Sequence, residues 1–428
     1  MNAPQSTMSD SLVGTALAPR LLFISSDKFK PFRVDVRILF AQELVAKGYQ
    51  IDWLLQSETE CAADYTTAWG GGTVWVAKTD QGVGRLDRLR KHLWSITNEL
   101  RMFRLVRRGR YDAILIKDKF IAAVLALAAG RLSCTPVIYW LSYPFPEESL
   151  LLAKEGTARY PMFYWLRGLL FHFLLYRVIL PRSLHVFVQS EQMKKDVAAQ
   201  GMSISRMTAV PMGVDLGKIP YDAGAPAVAG TGRPTLLYLG TLIKVRRLDF
   251  LVRMLALVKQ DIPDVRLLFV GDGDDPSDRA VLDAEVARCG VTDAVEFTGF
   301  MPMESAWRLI AEADVCLSPF YPTPILNSTS PTKLIEYMAM AKPVVANDHP
   351  EQKLVIEESG AGLCVPWDEA AFAEAVTELL RDPVRAAEMG AKGRYYVERR
   401  RGYGRIAEMV DAEFRLRLPR FRSMQGVR

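Results

Sequence analysis

The segment 327–348, NSTSPTKLIEYMAMAKPVVAND, brings several hydroxyls together with Lys333 and Glu336. Ser330-Pro331 reads as the N-cap and first residue of a helix, since a Ser hydroxyl accepts from an orphan N–H and Pro needs no donor there. Lys333 then falls in the first turn, where the helix dipole disfavours a cation. A bound anion removes the conflict: the free N–H groups, the dipole and Lys333 together would hold a phosphate. A solvated Lys costs only about a few tenths of a kcal/mol at such a place, so helix arguments alone leave both readings open. Glu336 follows one turn later. A carboxylate there can accept two hydroxyls, as a ribose diol requires, although an ordinary helix-surface Glu is the plainer reading.

Two more segments carry chemistry. In YLGTLIKVRRLDFLV (238–252), Gly240 ends a strand and Lys244, Arg246 and Arg247 follow in a short loop. Basic groups beyond a strand end suit a diphosphate, and Arg binds it with two parallel hydrogen bonds; a solvated loop is the alternative. In FVGDGDD (269–275), Gly271 and Gly273 permit a tight turn and close backbone approach. It is not GxGxxG, and Asp272, Asp274 and Asp275 read as solvated turn residues rather than metal ligands. The chain has four His, and only His349 lies in a site-like loop, where a turn residue before Pro350 is the simpler reading. GxxxxGK[ST], HExxH and GxSxG are absent from the sequence.

The elements that must position these residues are strands alternating with helices. Apolar runs at 20–25, 49–55, 111–116, 136–142, 185–190 and 207–215 form one series. Runs at 235–240, 266–271, 294–299, 314–319, 343–348 and 362–367 form a second. Buried strands separated by helical stretches predict parallel sheets covered on both faces, with ligands at the carboxyl ends of the strands. The expected architecture is two doubly wound, Rossmann-like α/β domains facing a central cleft. The expected divisions are a flexible arm over 1–19, a first domain over 20–216, a linker over 217–234, a second domain over 235–395 and a helical, basic tail over 396–428.

With 428 residues, half of them hydrophobic, the chain has ample material for such cores. Five scattered Cys without a CxxC argue against a disulfide scaffold or structural zinc and fit a reducing cytosol. Residues 1–19 lack the pattern of a secretory signal. The net charge of +5 conceals an asymmetry. From 82 to 182 there are 17 Lys+Arg and 7 Asp+Glu, a local charge of +10, leaving −5 for the remainder. That segment therefore favours an anionic partner. LRKHLWSITNELRMFRLVRRGR (89–110) interleaves basic and apolar residues and can lie on an anionic membrane surface; the outer face of a packed helix reads almost as well. PMFYWLRGLLFHFLLYRVILP (161–181) is interrupted by Arg167, His172 and Arg177, so it reads as buried or surface-lying rather than spanning.

Over about 20–400 the chain resembles the GT-B glycosyltransferases of family 4, the group 1 family. VPMGVD (210–215) resembles the family's PNGVD, YLGTLIKVRRLD its G-R-x-x-x-x-K-G loop, and FVGDGDD, EFTGFMP and LIEYMAMAKPVVA follow in family order. The resemblance implies transfer of a sugar from a nucleoside diphosphate sugar, UDP- or GDP-linked, to a hydroxyl, with retention and without a metal. It implies Arg246 and Lys333 as the groups stabilising the leaving diphosphate. It places Gly240, Thr241, Arg247, Gly271, Gly273, Ser328, Thr329, Ser330, Thr332 and Leu334 around the donor, Glu336 on its ribose, and Gly299, Phe300 and Met301 on its base.

Three departures stand out. Ser328 occupies the first position of the family's E-x7-E pair, which puts donor-sugar recognition in doubt. Thr241 replaces the loop Arg, so Arg246 aligns with the family Lys and Arg247 replaces the Gly after it. SSDKFKPFRVDVR (25–37) replaces the Gly-rich acceptor loop; Lys28, Lys30 and Arg33 there either meet a phosphate or are solvated. WLSYPFPEE (140–148) replaces the usual His/Asp region, making Ser142, Tyr143 and Glu147 acceptor-side candidates. The expected acceptor is a lipid-linked glycan in cell-envelope or exopolysaccharide assembly, reached by a cytoplasmic protein in peripheral contact with the inner face of the membrane. Nucleic acid is not an expected partner. The alternatives are a catalytically silent scaffold of a polysaccharide complex and a sugar-nucleotide epimerase of the same fold.

Overall fold

A computed structural model describes residues 19–107, 109–156, 158–221 and 232–418. All but the last residue of the expected arm, most of the expected linker and the last ten residues lie outside the described residues.

The first sheet holds β1 (Arg20–Phe29), β2 (Gln50–Ser57), β3 (Tyr65–Trp69), β4 (Gly72–Ala77), β5 (Ala113–Lys117), β6 (Val137–Leu141), β7 (His185–Val188) and β8 (Met207–Ala209), in the order β3-β4-β2-β1-β5-β6-β7-β8. The second holds β9 (Thr235–Leu239), β10 (Arg266–Val270), β11 (Val295–Phe297), β12 (Val315–Ser318), β13 (Val344–Asn347) and β14 (Gly362–Val365), in the order β11-β10-β9-β12-β13-β14. Every pairing is parallel except β3 with β4. Strand order reverses between β1 and β5, and between β9 and β12. The crevices outside these strand ends are where open α/β sheets bind ligands.

Continuous apolar runs explain the central strands. Leu21 to Ile24, Ala113 to Ile116 and Leu236 to Tyr238 are wholly buried, as strands covered on both faces must be. The β3–β4 hairpin was not expected from the sequence. It turns at Gly70 and Gly71, both with positive φ, as a two-residue hairpin loop requires. Its edge strand β3 is mostly exposed and has no apolar run to announce it.

Beyond the second sheet the chain crosses back to the first. The helix Tyr403–Arg417 returns to the first sheet, where Tyr403, Ile406, Val410 and Phe414 join a core cluster with Phe40, Trp53, Trp140 and Phe187. Spacings of three and four residues put these side chains on one helix face. The Phe187 and Phe414 rings are 5.5 Å apart, and the Tyr49 hydroxyl donates to Asp411 Oδ1 at 2.6 Å. Arg401, 5% exposed, pairs with the equally buried Glu351 at 2.7 Å.

Candidate functional site

After β12 and the short helix Pro324–Asn327, the site helix begins at Thr332 and runs to Ala339, with Pro331 at the capping position. This corrects the expected Ser330 cap: Ser330 Oγ accepts from the Met212 N–H at 3.0 Å, so the hydroxyl serves the first domain instead. Lys333 still lies in the first turn, and it is buried, 8% exposed. Its ammonium faces the Tyr238 and Phe320 rings at 5.1 and 5.2 Å. Burial drives its pKa well below the ordinary Lys value; the nearby Arg246 charge adds to this, and Glu336 opposes it.

Gly240 fixes what Lys333 faces. Its φ is +141°, and a Cβ there would lie 2.6 Å from Lys333 Cε and 3.2 Å from Arg246 Nη1. Both cations thus close on one bare stretch of backbone at the end of β9. Arg246 Nη1 donates to the Tyr238 hydroxyl at 3.1 Å. Gly271, with φ +133°, packs on the same spot: a Cβ there would sit 2.3 Å from the Gly240 carbonyl oxygen. Gly271 bridges to Gly299, and Phe300 beyond it is 67% exposed while Met301 packs on the core. Arg247, with φ +52°, lies 5.5 Å from the Tyr321 ring and 3.5 Å from Asp249. Thr241 and Thr332 are half-buried, and Leu334 is buried. Glu336 is half-buried beside Lys333; burial raises its pKa to about 7 despite the Lys333 charge.

The Asp-rich turn is occupied by capping. Asp275 Oδ1 accepts from Ser277 N at 2.8 Å, Asp272 Oδ1 from Gly273 N at 2.8 Å, and Asp278 Oδ1 from Lys244 N at 3.0 Å. Among the described residues, no group of three His, Cys, Asp or Glu converges to hold a metal ion. His349 is buried, and its Nε2 lies 2.8 Å from the Leu326 carbonyl, so it braces the loop before the site helix.

In the first domain, sequence reasoning missed a buried polar cluster. Lys117, wholly buried at the end of β5, pairs with Asp35 at 2.6 Å. Asp118, with φ +54°, accepts from the Ser142 N–H at 2.8 Å and from its hydroxyl. Arg33 donates to Ser142 Oγ at 3.3 Å and lies 3.4 Å from Asp35 and 3.8 Å from Asp27. Burial works against the Arg33 charge, but Asp35, Asp27 and Asp118 outweigh it and raise the pKa. Its charge is therefore answered from within the protein. Burial raises the pKa of Asp118. Arg33 and Ser142 were expected on the acceptor side; Asp35, Lys117 and Asp118 were not, and their one signal in the sequence was the charged pair Lys117-Asp118 ending an apolar strand. Tyr143 turns to Glu148 Oε1 at 2.8 Å, and Glu147 accepts from Tyr176 at 2.8 Å.

The two halves face each other. Burial raises the Tyr403 phenol pKa, and the charges of Asp35 in the first domain and Glu336 in the second both add to the shift. Ser328, at the turn before the site helix, donates its hydroxyl to Asp196, while its carbonyl accepts from the Ser190 hydroxyl at 2.7 Å. Both partners lie in the first domain, and nothing in the sequence pointed to either.

Two doubly wound sheets facing one cleft, with paired cations over a glycine-lined strand end, define the GT-B class. Residues 39–213 match the family model described as "Glycosyl transferase 4-like domain", and residues 233–382 match "Glycosyl transferases group 1". The chain belongs to the group 1 glycosyltransferase family. It is 30% identical over 194 residues to a phosphatidyl-myo-inositol mannosyltransferase of Mycobacterium leprae, covering 44% of this chain and 48% of the relative. It is also 30% identical over 215 residues to a GDP-mannose-dependent alpha-(1-6)-phosphatidylinositol monomannoside mannosyltransferase of Mycolicibacterium smegmatis, covering 47% and 55%. The chain thus spans about half the length of the curated relatives it matches. Sucrose-phosphate synthase from Thermosynechococcus elongatus shares the fold with a TM-score of 0.68 at 19% identity, over 93% of this chain and 98% of that one. Anabaena HepE, solved with UDP and glucose, superposes with a TM-score of 0.64 at 15% identity, over 92% and 99%.

Proposed function

We propose that the protein is a retaining glycosyltransferase that moves a sugar from a UDP- or GDP-sugar to a hydroxyl of a lipid-linked glycan, in cell-envelope or exopolysaccharide assembly. The observation that carries this is the closure of Lys333 and Arg246 on the Gly240 backbone at the β9/β12 switch point. Two buried or half-buried cations in each other's company are unfavourable without an anion, and a diphosphate answers both. The names of the mannosyltransferase relatives support a lipid acceptor, and HepE with its UDP supports a nucleotide donor.

In this reading Arg246, Lys333 and Arg247 stabilise the charge that grows on the diphosphate as its bond to the anomeric carbon breaks. Fixed cations of this kind lower the barrier because they need no reorganisation during the reaction. Glu336 accepts the ribose hydroxyls, and Gly299, Phe300 and Met301 flank the base. The backbone at Gly240, Thr241, Gly271 and Gly273 and the 328–334 segment surround the donor. The acceptor hydroxyl attacks from the leaving-group face; its oxygen bonds to the anomeric carbon and its proton passes to the departing diphosphate oxygen. No step calls on a metal. The protein works in the cytoplasm, at the inner face of the membrane.

Calorimetry with a panel of UDP- and GDP-sugars, followed by transfer assays with the donor that binds, tests the reading. Binding by one nucleotide class and transfer to a lipid-linked acceptor are expected. Failure of every nucleotide and nucleotide sugar to bind would exclude it.

A further inference from the structure

The helix Pro161–Arg182 is long and apolar enough to cross a membrane, and only 22% of its most apolar stretch is buried. Its outward face is what makes it unusual. Met162, Trp165, Leu166, Leu169, Leu170 and Phe173 are each between 43% and 69% exposed. Spacings of three and four place them on one stripe, so the apolar side of this helix faces outward. A stripe of this length on the surface of a water-soluble domain marks an interaction site.

Its inner face shows why the helix does not span. Gly168 is buried against Leu150, where a Cβ would lie 2.7 Å from the Leu150 Cγ. Further along, Leu175, Ile179 and Leu180 are at most 1% exposed, within the core under the first sheet. A crossing needs about 20 residues in lipid, and the last turns of this helix are held in protein.

Charge selects the occupant. The stripe lies within the segment that carries +10, so a second copy of this chain would bring like charge against like charge. Arg159 and Arg167 lie over the Tyr160 and Tyr164 rings at 5.5 and 4.9 Å, and Arg177 continues the stripe at its far end. Tyr, Trp and Arg around an apolar face suit the boundary between headgroups and acyl chains. The helix Arg85–Glu99 contacts Phe120–Ser133, which contacts 174–179, so all three belong to one helical layer. Arg85–Glu99 adds exposed Leu86, Leu89 and Leu93 beside Arg88 and Arg90.

We propose that the outward face of Pro161–Phe173, flanked by the Leu86–Leu93 stripe, docks on an anionic lipid bilayer, with the helix lying in the plane of the surface. This deepens the membrane side of the proposed function by naming the face and its lipid. Such docking holds the cleft at the height of a lipid-borne acceptor.

The test is sedimentation of the whole chain with phosphatidylcholine vesicles, with and without phosphatidylglycerol. The expected result is binding to the mixed vesicles that exceeds binding to neutral ones and weakens with salt. In Leu166→Glu/Leu170→Glu, binding should fall by about a hundredfold or more, since two buried Leu are replaced by charges. Trp165 emission should be quenched by brominated lipid, and Trp165→Phe should remove that part of the quenching. Equal binding by the double variant, or by the wild type to neutral vesicles, would overturn the proposal. So would light scattering that shows a wild-type dimer and a monomeric variant, which would make the stripe a self-interface. Nucleotide affinity, measured on the same samples, checks folding and reports separately on the glycosyltransferase reading.

Discussion

Ser190 donates its hydroxyl proton to the carbonyl oxygen of Ser328 across the cleft at 2.7 Å, while its own oxygen accepts from the Met193 N–H at 3.0 Å. One buried hydroxyl thus caps the helix Glu191–Ala199 and ties the first domain to the turn that leads into the site helix. Ser328 Oγ adds a bond to Asp196, and Ser330 Oγ one from Met212. The residue at the family's first Glu position is therefore engaged with the opposite domain.

Loosening these bonds between the domains should lower turnover without weakening donor binding. In Asp196→Asn, the Ser328 hydroxyl loses a charged acceptor, worth about 1.5–3 kcal/mol. We expect kcat to fall about tenfold or more, with nucleotide affinity nearly unchanged because the groups proposed to hold the donor belong to the second domain. Ser190→Ala should do the same and cost about 1 kcal/mol of stability through the lost cap. Steady-state kinetics beside calorimetry reads the split; a parallel loss of nucleotide affinity would mean that the contact belongs to the donor site.

Lys333 is unfavourable in the empty protein, which separates its effects on stability and on activity. Lys333→Ala and Arg246→Ala should each lower transfer by about 10²-fold or more. Lys333→Met, which keeps the bulk and drops the buried charge, should raise the melting temperature of the nucleotide-free protein by a few degrees while abolishing the stabilisation that nucleotide confers. Thermal melts with and without UDP or GDP measure both, and a destabilised Lys333→Met protein would contradict the buried-cation account.

Glu336 should make donor binding depend on pH near neutrality. With its pKa raised to about 7 by burial, the carboxyl is largely protonated at pH 6. The proposed role of accepting two ribose hydroxyls favours the ionised form, so affinity should improve about tenfold between pH 6 and pH 8. Glu336→Gln should lose this increment and retain any part due to titration of the nucleotide phosphates. Stability follows the opposite sign. A carboxyl whose pKa is raised on folding favours the native state fully below its unfolded value near 4.5, and that contribution is lost as pH rises through about 7. The melting temperature of Glu336→Gln relative to wild type should therefore climb across that window.

Patterns local in sequence were legible; partners distant in sequence were not. Buried strands showed themselves as apolar runs, so both sheets could be read, along with the placement of Lys333, Arg246 and Gly240 near strand ends. The edge strand β3 escaped because it is exposed and has no such run, whereas β4 was passed over although Val74, Val76 and Ala77 are buried. Ser330 looked like a helix cap because local chemistry allows it, yet the Met212 N–H, 118 residues away, claimed its oxygen. Lys117 is a charge at the end of a buried strand, and only the fold brings Asp35 to it, 82 residues distant. The helix Tyr403–Arg417 read as a tail because periodicity shows that a face is buried, not against which domain.

Gly240 and Gly271 offer the sharpest comparison, because both have φ near +135–140° yet face different neighbours. Alanine at either is strained by backbone conformation, at a cost of about 1–3 kcal/mol. At Gly271 the new Cβ would also meet the Gly240 carbonyl at 2.3 Å, which is backbone and cannot swing aside. At Gly240 it would meet the Lys333 Cε at 2.6 Å, near the end of a side chain that can move. Gly271→Ala should therefore be the more destabilised protein. Gly240→Ala should be the milder in stability but should displace Lys333 from its proposed place against the diphosphate, losing nucleotide affinity about tenfold beyond what its stability change explains. Paired melts and calorimetry order the two variants on both scales. If Gly240→Ala bound nucleotide normally, Lys333 would not be the group that holds the diphosphate.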